Sequence, residues 1–520
     1  MSGQKGIGRE RYGAPIYFAV LLLALLVFFL PSFDNPPRSD YWSAFYVFQQ
    51  VEASPLPPNW PSILTFDLWQ HGTYRPFSHL ILYLEHLLFS PHFVWNHILN
   101  FSAYFLAVIL LYLLAGRLAL DRVLTAALLA VFAFLFSHFD ILTWTFQIFS
   151  VLAFCAFLLG FILFIDHLRS RRPILLVAVG ILFLFGMLCS EVYALWPLAI
   201  FILPFALSSS RPYVQCQDAT PVLVYLFYLG GFILHRAGTV TTGPLPAITP
   251  GLLVSSFLMV FFNLLYNGIV VNICPFLAVP LFYNDNINLG GILWRWEAYL
   301  DTLVPWLGLA AALLLGAGGF LLWRIRKRRT LALLSFFFYL YFTNLFTVAA
   351  ARLTTDPIFY PLSQFRYQYV PNALLALMAA AVLGGLLRTG RRGKLFICLI
   401  LLPVLVFNIT LIHKQMLVLE NRLRPLRVIL DNISRGIDGG LITEDDRLFI
   451  EKGVAEKLPA PAWNNNMERF MEGSLQWFYP ASEMKKFTFF PEDAAWIIRQ
   501  DDYLTIQMTR EHQDQTTPKE

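Results

Sequence analysis

The chemistry this chain can perform rests on a few charged residues set in long apolar surroundings. Asp40 lies in Arg38-Ser39-Asp40-Tyr41-Trp42, shortly after the first apolar segment, and Asp34 precedes it in Phe33-Asp34-Asn35-Pro36. A carboxylate at a membrane surface, partly shielded from water and within reach of a hydroxyl, can act as a general base; the plainer reading is a solvated loop acid. Arg75 precedes Pro76, a step that favours an extended residue and then a helix start. A guanidinium there can grip phosphate or carboxylate bidentately, or serve in a structural ion pair. Arg366 and Tyr367 lie in Phe365-Arg366-Tyr367-Gln368-Tyr369-Val370-Pro371, at the head of another apolar segment. A cation at that depth is costly unless paired, so an anionic partner is expected there, the alternative being a side chain that snorkels to lipid headgroups. His79, one turn beyond Arg75, Asp140 beside His138, and Glu191 after Cys189-Ser190 are candidates to line the same cleft. Their structural alternatives are an interfacial anchor for His79, a hydrogen bond shared by His138 and Asp140, and a helix-dipole cap for Glu191.

The elements that must position these residues are membrane helices. The chain has 520 residues, of which 57% are hydrophobic and 14% charged, with a mean hydropathy of +0.60. That much apolar surface cannot be hidden in an ordinary soluble domain. Apolar segments able to cross the bilayer recur from Ile16–Leu30 to Leu395–Ile412, among them Val94–Ala115, Val123–Phe136, Val192–Leu207 and Leu252–Val271. The expectation is an all-α polytopic membrane protein of about 11 to 13 spans. The first segment ends at Leu30-Pro31 without a small-residue cleavage site, which reads as a retained anchor.

Basic residues gather in alternate loops: Lys5/Arg9/Arg11, Arg117/Arg122, Arg169/Arg171/Arg172, Arg211, Arg324 to Arg329 and Arg388 to Lys394. The positive-inside rule puts these loops, and the N-terminus, in the cytoplasm. The long first loop (31–91), the loop near Asp356 and the tail after His413 are then extracytoplasmic. One region breaks the parity. If the segment after Gly251 crosses once, the next helix ends on Arg324 from the wrong side, so that segment either crosses twice or lies in the outer leaflet.

Within the first loop, Leu80, Leu82, Leu84, Leu87 and Leu88 predict an interfacial helix over Arg75 to Ser90. Two domains follow: a membrane domain over 1–412 and a small extracytoplasmic α+β domain over 413–520. The second opens with a helix through Ile433 and carries strand-like pieces at Phe487–Phe490 and Tyr503–Met508. The five cysteines have no metal spacing, and neither disulfides nor a metal centre is inferred. The net charge of +5 marks topology rather than an affinity for nucleic acid, and no phosphate-binding glycine loop or dinucleotide fingerprint occurs.

Tyr74-Arg75-Pro76-Phe77, the amphipathic run, and then His97-Ile98-Leu99-Asn100 at the head of an apolar helix resemble the GT-C membrane glycosyltransferases. The nearest branch is that of the O-mannosyltransferases with tetratricopeptide repeats; the repeats are absent. Arg366 to Pro371 resembles a second motif of that branch, departing from it at Phe365, Gln368 and Asn372. The resemblance implies an inverting transfer of a sugar from a polyprenyl-phosphate donor to a protein, lipid or polysaccharide acceptor outside the cytoplasm. It assigns Asp40 as base, with Asp34 as alternative, and places Arg366, Arg75 and Tyr367 at the donor phosphate. In several relatives an acid at the place of Asp140 helps bind metal or acceptor, so metal dependence is left open. A bacterial or archaeal plasma membrane is the expected location. The competing readings are a lipid or glycan transporter or flippase, for which inverted repeats and mid-membrane charges are expected, and a non-catalytic relative, raised by Asn35, Phe365 and Ser190.

Overall fold

The computed structural model describes residues 7–35, 44, 48, 75–89, 94–207, 215–239, 249–273, 297–324, 327–352, 367–386, 391–442, 446, 448–450, 495–500 and 506–510. Among these, eight helices are long and apolar enough to cross a membrane, and a ninth span results if one bent pair is counted as one. Three shorter apolar helices, Pro173–Cys189, Glu191–Phe201 and Tyr369–Gly384, accompany them. The protein is a multi-pass membrane protein whose described residues lie almost wholly in helices, as the apolar segments predict.

In chain order the helices are α1 (Ile7–Phe29), α2 (Pro76–Phe89), α3 (Val94–Arg117), α4 (Arg122–Ala133), α5 (Phe139–Thr143), α6 (Ile148–Ser170) and α7 (Pro173–Cys189). They continue as α8 (Leu203–Leu207), α9 (Thr220–Thr239), α10 (Pro250–Leu265), α11 (Glu297–Arg324), α12 (Arg328–Arg352), α13 (Tyr369–Leu386) and α14 (Arg391–Asp438). α2 occupies the stretch expected of an amphipathic helix, with Pro76 at its first position, where the missing N–H is harmless.

Several expected spans take other forms. The segment Val123–Phe136 stops as α4 at Ala133, and the chain bends by 59° into the short helices over Phe136–Thr143. No proline or glycine marks this break; its freed backbone groups are taken by distant side chains. Asn408 accepts from Phe136 N at 2.8 Å, Tyr104 donates to the Ala133 carbonyl at 3.0 Å, and Asn100 donates to the Ile141 carbonyl at 2.7 Å. In a water-free interior such partners are what permit a broken helix. The segment Val192–Leu207 is not one helix but 3₁₀ turns over Glu191–Tyr193 and Trp196–Phe201 followed by α8, because Pro197 and Pro204 supply no N–H to a continuous α-helical ladder. Past Leu265, α10 widens into a π-helical turn over Tyr266–Val271. α14 runs unbroken through Ile412, the end of the membrane domain on sequence grounds, to Asp438.

α6 and α7 pack face to face through reciprocal small-residue holes. Phe183 lies over Gly160 and Phe157 over Gly186, so that a Cβ on either glycine would meet the opposing ring at 2.5 Å. The Phe157 and Phe183 rings stack at 5.0 Å between centroids, close packing of the kind that joins helices in lipid. Trp196, fully buried, donates to the Leu340 carbonyl at 3.2 Å and ties the 3₁₀ segment to α12.

The basic loops meet at one end of this bundle. Arg117 pairs with Asp166 at 2.8 Å, Arg171 with Asp218 at 2.9 Å, and Lys394 with Asp121. Asp121 also caps α4 by accepting from Val123 N and Leu124 N at 3.1 Å. Arg329 reaches the Leu118 carbonyl at 2.8 Å.

Beyond α14, β1 (Leu448–Ile450), β2 (Trp496–Gln500) and β3 (Ile506–Arg510) form a sheet in the order β1-β2-β3. β1 and β2 are parallel, with Leu448 opposite Trp496, and β2 and β3 are antiparallel, with Ile498 opposite Met508. β3 overlaps the strand expected at Tyr503–Met508, while Phe487–Phe490 lies outside the described residues.

Candidate functional site

At the end of α7, Ser190 is extended (ψ 119°) and stops the helix, so Glu191 opens a 3₁₀ turn. At the start of α2, the proline step holds Arg75 outside the helix, and Ser78 Oγ donates to the Arg75 carbonyl at 2.8 Å. These two chain ends meet. Arg75 Nε and Nη2 donate to the two carboxylate oxygens of Glu191 in a bidentate pair. Although its neighbours crowd the guanidinium, 27% of the Arg75 side chain and 23% of Glu191 remain exposed. Burial works against the Arg75 charge, but the Glu191 carboxylate, aided by the Tyr367 and Tyr228 hydroxyls, more than offsets it and holds the guanidinium above its ordinary pKa.

Three predicted residues therefore come together: Arg75, Glu191 and Tyr367. They come from the residue preceding α2, the 3₁₀ turn that follows α7 and the turn before α13, with Tyr228 of α9 as a fourth contributor that nothing in its own sequence neighbourhood singles out. Glu191 acts as the partner of Arg75 in addition to opening its turn. His79 is buried on the inner side of α2, one turn from Arg75. Asp140 is half-buried in α5, next to the Ile141 and Leu142 carbonyls that Asn100 binds. Its neighbour His138 points into the bundle, 2.9 Å from the Tyr104 hydroxyl and 3.4 Å from Asn372 Nδ2. Asp34 ends the 3₁₀ turn Leu30–Asp34 after α1. The carbonyl of the next residue, Asn35, lies 3.0 Å from His97 Nε2. Asp40 and Arg366 lie outside the described residues.

The turn that carries Tyr367 is held by two amides. Gln368 accepts from Asn263 at 3.0 Å, and Asn263 also donates to the Tyr341 hydroxyl at 3.1 Å. Asn372, one turn on, accepts from Asn272 at 2.7 Å and donates to Ser137 at 2.9 Å. Gln368 and Asn372 are two of the positions where this segment departs from the motif it resembles. Each has its complement in an asparagine, Asn263 of α10 or Asn272 just past the π-helical turn. Bulges of that kind recur where backbone must be fitted to a special contact.

A further acid faces inward from α2. Glu85 is 2% exposed, and neither of its oxygens makes a hydrogen bond of normal geometry. Burial pushes its carboxyl far above the ordinary range; the Asn96 amide close by opposes this without reversing it. The sequence does offer a signal for it: Glu85 is the one formally charged residue between Arg75 and Arg117.

Among the described residues no group of three or more His, Cys, Asp or Glu side chains is arranged to hold a metal ion. No protein-family profile matches the chain, and no curated protein matches it significantly.

Proposed function

We propose that the chain is an integral-membrane glycosyltransferase that moves a sugar from a polyprenyl phosphate to an acceptor, with inversion at the sugar carbon. The observation that carries this reading is the convergence of Arg75, Glu191 and Tyr367 from three distant segments, at motifs that resemble those of GT-C enzymes. Glu191 occupies Nε and Nη2 of Arg75 and so orients the guanidinium, whose Nη1 edge is then directed to the donor phosphate beside Arg366 and Tyr367. Asp40, or Asp34 in its place, takes the acceptor proton as the acceptor oxygen bonds to the sugar and the bond from sugar to phosphate breaks. Catalysis rests on that proton transfer and on neutralising the departing phosphate.

In the same reading the bundle has about 11 to 13 spans, counting the shorter apolar helices. The end that gathers Arg117, Lys394 and Arg171 is cytoplasmic, and the region 413–520 is an extracytoplasmic α+β domain of a bacterial or archaeal plasma membrane protein. A transporter or flippase is favoured by one observation, the buried amide seam of Asn263, Gln368, Asn272 and Asn372. That seam contains no carboxylate or cationic side chain, as a coupling-ion or proton path would.

The test is donor use in Arg366 variants. Arg366→Ala is expected to weaken donor affinity more than Arg366→Lys, because a point charge still attracts phosphate after the bidentate geometry is lost. Equal donor affinity in wild type and both variants would remove the phosphate role.

A further inference from the structure

At the end of the bundle where the basic loops meet, some cations are committed to the fold and others are not. Arg329 donates to the Leu118 carbonyl at 2.8 Å, Arg169 donates to the Arg117 carbonyl at 2.6 Å, and Lys394 pairs with Asp121. These contacts fasten α12, α6 and α14 to the turn between α3 and α4. The carboxylates beside them are occupied: Asp121 takes Lys394 and two backbone N–H groups, Asp166 takes Arg117, and Asp218 takes Arg171. Arg328 is the neighbour of Arg329, and Arg392 lies two residues before Lys394. Both are exposed, and neither has a carboxylate partner among the described residues.

Local stability does not account for these two residues. Arg328 opens α12 and Arg392 lies in the first turn of α14, where the helix dipole disfavours a cation. What surrounds them is apolar and faces outward. Leu395 and Phe396, three and four residues after Arg392 and so on its face of α14, are 61% and 64% exposed, and Leu399 continues the stripe. Trp323, 60% exposed, lies one residue before the end of α11, at the same end of the bundle as Arg328. An exposed tryptophan beside cations marks the level of the membrane interface. A small soluble anion gains nothing from the apolar stripe, whereas a phospholipid sets its phosphate against the cation and its chains against the leucines and Phe396.

We propose that Arg328 and Arg392 bind the headgroup phosphates of anionic phospholipid, with the face of α14 that follows Arg392 taking an acyl chain. Each guanidinium offers phosphate oxygens both charge and paired N–H donors. This surface is separate from the Arg75 pair and does not rest on the transferase reading. Glu191 follows the C-terminal end of α7, while Arg172 precedes the other end among the basic loops, so about 25 Å, the length of that helix, lies between the two regions.

The test is native mass spectrometry of the full chain in a neutral detergent, titrated with dioleoylphosphatidylglycerol or dioleoylphosphatidylcholine. The two lipids share their chains, and the first alone carries a net charge. A cation close to anionic lipid contributes about fivefold in affinity, so the wild type should bind its first phosphatidylglycerol at least about twentyfold more tightly than phosphatidylcholine. In Arg328→Gln/Arg392→Gln the two affinities should agree to within about threefold. Arg435→Gln, near the far end of α14, should keep the wild-type preference. Glycerol phosphate in about hundredfold excess should leave the lipid bound, because it has the phosphate without the chains. Equal affinity for the two lipids in the wild type overturns the proposal without recourse to any variant. So does a preference that survives the double substitution, a preference lost equally in Arg435→Gln, or displacement by glycerol phosphate, which would make the ligand a free phosphate.

Discussion

Removing Arg75 and Glu191 singly and together separates a structural clasp from two independent groups. The pair makes two charge-assisted hydrogen bonds with a quarter of each side chain still exposed. Fully exposed pairs contribute about 0 to 1 kcal/mol, and truncating one partner of a buried pair costs about 3 to 5 kcal/mol. The partial burial puts Arg75→Ala and Glu191→Ala at about 2 to 3 kcal/mol each, within the usual range for hydrogen bonds to charged groups. Either truncation leaves the other charge without its partner, so the double variant should cost little more than one single. The coupling energy is then about 2 kcal/mol, a factor of about 30 in the unfolding equilibrium. The assay is reversible unfolding of the four proteins in mixed micelles of a mild detergent and dodecyl sulfate, followed by tryptophan fluorescence. Costs that add to within about 0.5 kcal/mol would show that the two groups act independently, and would refute the argument that Glu191 holds Arg75 in place.

Asp121 gives a pH-dependent prediction. Burial alone raises its carboxyl, but Lys394 and the backbone N–H groups of Leu124 and Val123 more than reverse this, and it titrates below its ordinary value. Its contribution is therefore complete above the unfolded value of about 3.9 and is lost as pH falls through the lower folded value. The stability advantage of wild type over Asp121→Ala, about 1 kcal/mol or more from the cap alone, should vanish in acid; an advantage unchanged well below pH 4 contradicts this. Gly160→Leu should destabilise by about 1 to 3 kcal/mol through overpacking against Phe183, checked by unfolding in the same micelles. Asn372→Leu removes the shorter hydrogen bond of both Asn272 and Ser137 and should cost about 1 to 3 kcal/mol, with less further loss in the double variant Asn272→Leu/Asn372→Leu.

Local patterning accounts for much of what was legible in the sequence. The proline step at Arg75-Pro76 and the leucine spacing after it locate α2 to within a residue of each end, and the alternation of basic loops anticipates the cluster of Arg117, Arg171 and Lys394 at one end. Contacts made across the fold left no such trace. Arg75 and Glu191 are 116 positions apart, and no local pattern links them. The break after Ala133 lacks proline and glycine because Asn100, Tyr104 and Asn408 satisfy it from other helices. Gln368 and Asn372 read as departures from a motif until Asn263 and Asn272 appear opposite them. β1 carries three residues, too few for an alternating pattern to stand out.

Sugar transfer by this chain, as proposed, depends on an acid of the first loop. The direct measurement is incorporation of radiolabelled sugar from polyprenyl phosphate donors into native acceptor membranes by purified wild type, Asp40→Asn and Asp34→Asn. Wild type should transfer label, and Asp40→Asn should fall by at least about a hundredfold, the usual loss on removing a general base, with its unfolding midpoint unchanged. Loss in Asp34→Asn alone would move the role to that residue. Wild-type rates in both variants, or no transfer by the wild type with any such donor, would contradict the account.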